Sequence, residues 1–182
     1  DVYKRQALDN GGLAFMPLVD WAPQLQKMID LRNTLGLRSP IHSLARILNP
    51  LGALCGLQSI FHPGYQAVHR DASGLLGDTA IVVKGDGGEI EINPDATSQL
   101  YGTSGGQSWD EEWPQLSAQR HVKPASLEIE HLKAVWRGDV VDSYPQMALI
   151  ATMALALRGL GQNREEAFAT AEQYWAARNT SI

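Results

Sequence analysis

The amino-acid sequence predicts an α/β fold, and the arrangement of apolar residues carries this prediction. Residues 53–60 and 79–83 are short apolar runs, and the second is strongly β-branched, as buried strands are. A helical pattern lies between them, so strand, helix and strand form a βαβ unit with parallel strands. Further helices are predicted to close the chain, over Ser126–Arg137, Ser143–Arg158 and Arg164–Arg178.

Composition limits the classes of function. The chain has 182 residues, of which 44% are hydrophobic, so it can bury one ordinary core. Its net charge of -5 provides no general cationic field, and nucleic-acid binding would therefore need a local cluster of Lys and Arg. Cys55 is the single cysteine, which suits a reducing compartment. The most apolar run, Met147–Leu157, is far below the roughly 20 residues that cross a bilayer, so we expect a cytoplasmic protein without a membrane partner.

The first six residues, DVYKRQ, match the translated end of a transposon adapter used in sequencing libraries. We therefore expect Asp1–Gln6 to be a sequencing artefact and the natural reading frame to continue upstream, and we exclude these residues from the domain assignment. Residues 7–50 are predicted to form a linker and helices, and residues 51–182 an α/β part.

The helices of residues 7–50 are predicted from spacing and helix-ending residues. Pro23 suits a first helical turn, and Gly36 ends the pattern. A second short helix is predicted over residues 41–48, before the break at Asn49 and Pro50. The first helix is expected to bury its apolar positions, which are Leu25, Met28, Ile29 and Leu35.

The α/β part is predicted from similar signals. Pro63 opens the helix between the two strands, and its apolar positions are Tyr65, Val68, Ala72, Leu75 and Leu76. After the second strand we expect a turn, a short strand over Glu89–Asn93 and a long surface loop over Thr97–Pro124, which is rich in Gly, Ser and Gln. We expect the middle C-terminal helix to be buried between neighbours. Asn163 and Glu166 have the spacing of a capping box at the start of the last helix.

Four short motifs, in this order, resemble glycosyltransferase family 3, whose best-known member is anthranilate phosphoribosyltransferase. GGLAFMPL at residues 11–18 resembles the family's G-x-x-F-x-x-A-P, and LRNTLGLR at 31–38 resembles V-R-x-x-L-G-x-R. Asn49-Pro50 matches an N-P pair, and VVKGDGG at 82–88 matches V-V-H-G-x-D-G. The resemblance covers roughly residues 11–178.

The resemblance implies a nucleoside phosphorylase/phosphoribosyltransferase-like α/β domain and part of a small helical domain, to which residues 22–48 would return. Such proteins bind phosphoribosyl pyrophosphate through magnesium. Their G-T-G-G-D phosphate loop would lie upstream of Ala7, and the comparable run YGTSGG at 101–106 falls after both strands, in the wrong place.

Two departures from the family pattern bear on function. Family enzymes carry an Asp-Glu pair after the V-H-G turn, suited to magnesium, whereas this chain has Ile90 and Glu91. The family's T-I-F-N-x-x-G-P-L is replaced by residues 39–47, which bring in the basic Arg46. Together with GEIEINP at 88–94, these changes resemble a diverged, YbiB-like subgroup. The resemblance to that subgroup implies a homodimeric nucleic-acid-binding protein outside tryptophan synthesis.

Candidate site residues follow from these motifs. Arg32 matches the family arginine that contacts an anionic acceptor, and guanidinium geometry suits a carboxylate or phosphate. Lys84, at the family's histidine position, and Glu91 are candidates for substrate or phosphate binding. Glu91 is the one candidate magnesium ligand, and an exposed strand-edge glutamate is the alternative. Lys27, Arg32, Arg38 and Arg46 would bind nucleic-acid phosphates if they share a face, and a scattered solvated surface is the alternative.

Two functions therefore remain open at the level of sequence. The first is nucleic-acid binding by a non-tryptophan-pathway relative of the family. The second is transfer of a phosphoribosyl group from phosphoribosyl pyrophosphate to a small aromatic acceptor, which would require magnesium. The sequence supports no Ser-His-Asp or Cys-His arrangement, and the catalytic residues are not identified.

Overall fold

A computed structural model describes residues 8–10, 12–85, 89–122 and 128–181, so the predicted adapter residues Asp1–Gln6 lie outside the described residues. The chain divides into two compact units, Asp1–Leu48 and Asn49–Ile182. We refer to them as the helical unit and the α/β unit.

Among its described residues the helical unit forms short helices. They include α1 (Leu18–Trp21), α2 (Pro23–Asp30), α3 (Arg32–Leu35) and α4 (Ile41–Leu44). Pro23 is the first residue of α2, and Gly36 ends α3 in the left-handed conformation at φ 68°, as the pattern predicts. The expected buried face is wrong, because Met28 and Leu35 are 48% and 63% exposed and none of the unit's described residues is buried.

The α/β unit is built on a four-stranded sheet in the order β1-β2-β3-β4. The strands are β1 (Gly56–Ile60), β2 (Ala80–Lys84), β3 (Ser98–Ser104) and β4 (Gln107–Trp113). Strands β1 and β2 pair in parallel, with Ile60 opposite Lys84, and a short 3-10 turn (Pro63–Tyr65) and helix α5 (Gln66–Leu75) connect them. The predicted βαβ unit is confirmed, as is the α/β fold class.

Three helices follow the sheet: α6 (Ile129–Arg137), α7 (Ser143–Gly159) and α8 (Arg164–Ala176). The buried core joins the sheet residues Ile81, Val83 and Leu100 to Leu155 of α7. Helix α7 packs on α8 through alanines, and its expected burial is confirmed. The capping box is also confirmed, because Asn163 accepts a hydrogen bond from the Glu166 amide and Glu166 accepts one from the Asn163 amide.

The expected surface loop over Thr97–Pro124 is wrong, because β3 and β4 form a hairpin there. Gly105 and Gly106 make the two-residue turn with φ of 57° and 75°, a conformation that suits the twist of hairpin strands and favours glycine. The YGTSGG run thus belongs to a hairpin. The expected strand over Glu89–Asn93 is also wrong, since this segment has no ladder partner among the described residues.

Helix α5 turns its polar side toward the sheet. Gln66, His69 and Ser73 are at most 3% exposed, whereas the apolar Val68 and Leu75 are 56% and 91% exposed. The buried side is stabilised by hydrogen bonds, because the Gln58 amide donates to Ser73 Oγ at 2.8 Å and Gln58 Oε1 lies 3.0 Å from His69 Nδ1. A polar network therefore joins α5 to β1, and mutual hydrogen bonding offsets the cost of burying it.

Candidate functional site

The predicted nucleic-acid contacts all lie in the helical unit. Lys27 is in α2, Arg32 begins α3, Arg38 follows α3, and Arg46 follows α4. All four residues are exposed. Exposure leaves their charged groups accessible to an anion, which is the first requirement for binding phosphate.

Charge is divided unequally between the two units. Once the predicted adapter residues Asp1–Gln6 are excluded, the helical unit contains four Lys and Arg against three Asp and Glu, whereas residues 49–182 contain nine against sixteen. The helical unit therefore has a net charge of +1 and the α/β unit one of -7. The net charge of the whole chain does not reveal this difference between the units. Because it is the less acidic unit, the helical unit is the more favourable surface for a polyanion.

Lys84 and Glu91 lie in the α/β unit, on either side of residues 86–88, where the expected turn lies outside the described residues. Lys84 is the last residue of β2 and is exposed, and Glu91 is exposed in the segment that begins at Glu89. Between Glu89 and Asn93 the side chains alternate between core and solvent. Ile90 packs against the core and Ile92 is 3% exposed, whereas Glu89, Glu91 and Asn93 are exposed. The Ile92 amide donates to Thr152 Oγ1 of α7 at 3.0 Å, which fixes this segment against the helix.

The described residues do not fit a magnesium site at the position of the family's carboxylate pair. Ile90 offers no oxygen and its side chain belongs to the core, so Glu91 is the one carboxylate of the pair. Magnesium prefers several oxygen ligands in octahedral geometry, supplied by carboxylates, substrate phosphates and water. No other group of three or more His, Cys, Asp or Glu side chains among the described residues is arranged to hold a metal ion.

A cluster of exposed rings lies where β1 ends, and sequence patterns did not single it out as a site. Phe61 and His62 meet edge to face with ring centroids 5.1 Å apart, and Tyr65 is 6.3 Å from His62. Phe61 and Tyr65 are 54% and 56% exposed. The neighbouring Gln66 is 3% exposed, and its Nε2 has no hydrogen-bond partner among the described residues.

The acidic run at 110–112, expected in a loop, is instead paired on both faces of β4. Arg158 donates to Glu111 Oε2 at 2.8 Å and lies over the Trp109 ring, 4.2 Å from its centroid. On the opposite face Arg70 pairs with Asp110. Hydrogen bonds to Asp71 and Asp110 raise the pKa of Arg70. These carboxylates hold the hairpin to its neighbours, so we assign them a structural role.

A cleft of about 470 Å³ opens between residues 116–122 and the start of α7. His121 stacks on Tyr144 at one wall, with centroids 4.1 Å apart and planes inclined by 17°. Asp142, also in the lining, caps α7 through the Tyr144 amide and pairs with His131 Nε2 at 2.8 Å. None of the sequence-predicted site residues lies in the lining of this cleft.

Cys55 shows no sign of an activated thiol. Burial raises the pKa of the Cys55 thiol above its ordinary value, so the reactive thiolate is disfavoured. Among the described helices, none combines the length and the apolar character needed to span a membrane.

Similarity to known proteins covers about half of the chain. It is 30% identical over 95 residues to the uncharacterized protein YbiB of Escherichia coli strain K12, which is 51% of this chain and 30% of that protein. It is 31% identical over 102 residues to the anthranilate phosphoribosyltransferase of Synechococcus sp. strain RCC307, covering 56% of this chain and 30% of the enzyme. No family model matches the chain.

The predicted relationship is confirmed. An uncharacterized protein of Aquifex aeolicus strain VF5 is also similar, at 34% identity over 96 residues, which are 52% of this chain and 31% of that protein. The matched segment spans less than a third of the length of each of these relatives. Both YbiB and a phosphoribosyltransferase are thus relatives at similar distance, and identity alone does not choose between their functions.

Proposed function

We propose that the protein binds nucleic acid through the exposed cations of its helical unit and is not a tryptophan-pathway enzyme. The observation that carries this proposal is the division of charge, with a net charge of +1 on the helical unit without its adapter residues and -7 on the α/β unit. Lys27, Arg32, Arg38 and Arg46 are exposed on the basic unit and are suited to phosphate contacts that do not read sequence.

The proposal is supported by the position of Ile90. Where family enzymes are expected to hold magnesium with two adjacent carboxylates, this chain packs a hydrocarbon into its core. Restoring an aspartate there would place an unpaired charge against apolar side chains, which is costly. The packing of Ile90 against the core therefore disfavours a carboxylate at this position.

Several finer points accompany this proposal. The α/β unit would have the nucleoside phosphorylase/phosphoribosyltransferase-like fold, and the helical unit would be part of a small helical domain. The complete protein would be a cytoplasmic homodimer. These points rest on the relationship to YbiB and to anthranilate phosphoribosyltransferases.

The salt dependence of duplex DNA binding tests the proposal. Each phosphate contact contributes about 0.9 to the slope of log affinity against log salt concentration, measured between about 50 and 200 mM. The variant Arg32→Gln, Arg38→Gln, Arg46→Gln should therefore lower the slope by roughly 2.7. Fluorescence anisotropy of a labelled duplex at several salt concentrations measures both the affinity and the slope.

A matched variant of the α/β unit removes the same number of charges. Arg120→Gln, Lys133→Gln, Arg164→Gln should leave the slope unchanged, because these residues lie on the acidic unit. If both triple variants lowered the slope equally, binding would reflect total charge and the helical unit would have no special role. An unchanged slope in the first variant would refute the proposal.

The alternative function is phosphoribosyl transfer from phosphoribosyl pyrophosphate, with magnesium, to a small aromatic acceptor. It is favoured by the similarity to the anthranilate phosphoribosyltransferases of Synechococcus and of Albidiferax ferrireducens, the latter 30% identical over 94 residues. In this case Arg32 would hold the acceptor, and Lys84 and Glu91 would lie near the phosphates. Pyrophosphate release that requires an acceptor and is lost in Arg32→Ala would establish it.

A further inference from the structure

We propose that the edge of the sheet where β1 and β2 end binds a nucleoside monophosphate. Lys84 and Gln66 hold the phosphate, and the rings of Phe61 and Tyr65 stack on the base. This site lies wholly within the α/β unit and goes beyond the proposed function, since it uses none of the cations of the helical unit.

The topology places these side chains at one edge. β1 and β2 are parallel, so both end at the same edge of the sheet, and Ile60 lies directly opposite Lys84. The chain leaves this edge through Phe61 and returns along α5, whose first residue is Gln66. Ligands of α/β sheets commonly bind outside the carboxyl ends of parallel strands, because loops and helix starts converge there.

Gln66 supplies an unused hydrogen-bond donor at this edge. It precedes His69 by about one helical turn, and the His69 ring meets Gln58 of β1. Ile60, which lies opposite Lys84, is two residues beyond Gln58 in β1, a distance along the strand similar to one helical turn. Helical side chains lean toward the start of their helix, so the Gln66 amide points to the strand ends. Its Nε2, buried without a partner among the described residues, is suited to donate to a phosphate oxygen.

The exposed rings of Phe61 and Tyr65 are suited to the base of the nucleotide. Phe61 and Tyr65 expose more than half of their surface, although contact between apolar ring surface and water is unfavourable. Both rings are steeply inclined to the ring of His62, and the exposed surface of Phe61 and Tyr65 lies next to the end of β1. Nucleobases stack on such faces, and the interaction tolerates any base.

Charge limits the size of the ligand. The α/β unit is net acidic, and Glu89 and Glu91 follow Lys84 closely in the sequence. A polyanion that lies along this unit is repelled, whereas one phosphate at a time can be held by one lysine and one amide. The chemistry therefore fits a single nucleotide, either free or at the end of a single strand.

Isothermal titration of the 182-residue chain with adenosine 5′-monophosphate, adenosine and inorganic phosphate tests the assignment. The nucleotide should bind more tightly than either of its parts. Phe61→Ala should weaken nucleotide and nucleoside alike by about 5- to 150-fold, the range found for loss of one base stack. Lys84→Gln and Gln66→Leu should weaken the nucleotide and phosphate and leave adenosine unchanged.

Leu75→Ala is the matched control, because Leu75 is 91% exposed at the opposite end of α5. Phe61→Leu, which keeps apolar volume and removes the ring, replaces Phe61→Ala if that variant unfolds. The proposal is overturned if the nucleotide binds no better than phosphate, or if Leu75→Ala weakens it as much as Phe61→Ala does. Displacement of the nucleotide by a single-stranded oligonucleotide identifies a strand end as its source, and failure of displacement identifies the free nucleotide.

The same titration separates this site from the proposed function. The triple arginine variant of the helical unit should bind adenosine 5′-monophosphate normally, while the salt slope of its duplex binding falls by roughly 2.7. If the chain binds the nucleotide but not the duplex, the proposed function fails and the nucleotide site stands. If it binds the duplex but not the nucleotide, the nucleotide site fails and the proposed function stands.

Discussion

The two units differ most in what they do with apolar side chains. In the α/β unit Trp113 is 1% exposed and Leu100 and Leu155 are fully buried, whereas in the helical unit Leu13 and Phe15 are more than 80% exposed. None of the described residues of the helical unit is buried. Burial of apolar area is the main stabilising contribution to folding, so the α/β unit has a core that can stabilise it, whereas the described part of the helical unit has none of its own.

The same contrast extends to helix length and capping. α8 has thirteen residues and a complete capping box, whereas α2 has eight residues and follows Ala22, which makes no side-chain cap. Short helices are marginal unless tertiary packing supports them. The unit that carries the candidate nucleic-acid contacts is therefore the less stable one, as is common for binding segments.

Hydrogen exchange should show the largest difference between the units. Amides of β2, at the centre of the sheet, should exchange only through global unfolding, whereas amides of α2 should exchange through local opening at rates orders of magnitude higher. Exchange measured by mass spectrometry at peptide resolution checks this. Equal protection of α2 and β2 would show that the helical unit is stabilised by contacts that its exposure does not reveal.

Substitutions of aromatic residues should give the next largest difference. Trp113 packs in the core with its ring centroid 5.1 Å from that of Phe168, so Trp113→Ala should lower the free energy of unfolding by about 3–5 kcal/mol. Phe15→Ala in the helical unit should change it by less than about 0.5 kcal/mol, because that side chain is 84% exposed. Urea denaturation followed by circular dichroism measures both. A comparable loss in the two variants would contradict the contrast.

A smaller effect tests the hairpin that the sequence pattern did not predict. Gly102 lies opposite Trp109, and a Cβ at Gly102 would overlap the indole ring. Gly102→Ala should therefore cost about 1–3 kcal/mol through overpacking. Gly56→Ala is the control within β1, since its nearest neighbour, Thr79 O, would be 3.9 Å away. Equal denaturation midpoints for the two variants would mean that Trp109 does not cover Gly102.

The sequence predicted elements whose signals are local. The parallel β1 and β2 were evident because strands buried on both faces are continuous apolar runs, and the start of α8 was evident from Asn163 and Glu166 alone. The hairpin was missed because Gly, Ser and Glu in β3 and β4 have low strand propensity. Its second strand is instead stabilised by Arg158, which contacts Trp109 and Glu111, lies 47 residues beyond Glu111 in the sequence, and meets them only in the fold.

The candidate sites divide in the same way. The resemblance to glycosyltransferase family 3 identified Arg32, Lys84 and Glu91 as positions of interest and revealed the missing carboxylate at Ile90, because the identity of each residue in a matched motif is visible in the sequence. Only the tertiary structure decided that the polar side of α5 faces inward and that Gln66, Lys84 and Phe61 share one edge. The physical reason is that periodicity shows which residues share a helix face, whereas the partner that face meets is set by side chains elsewhere in the chain.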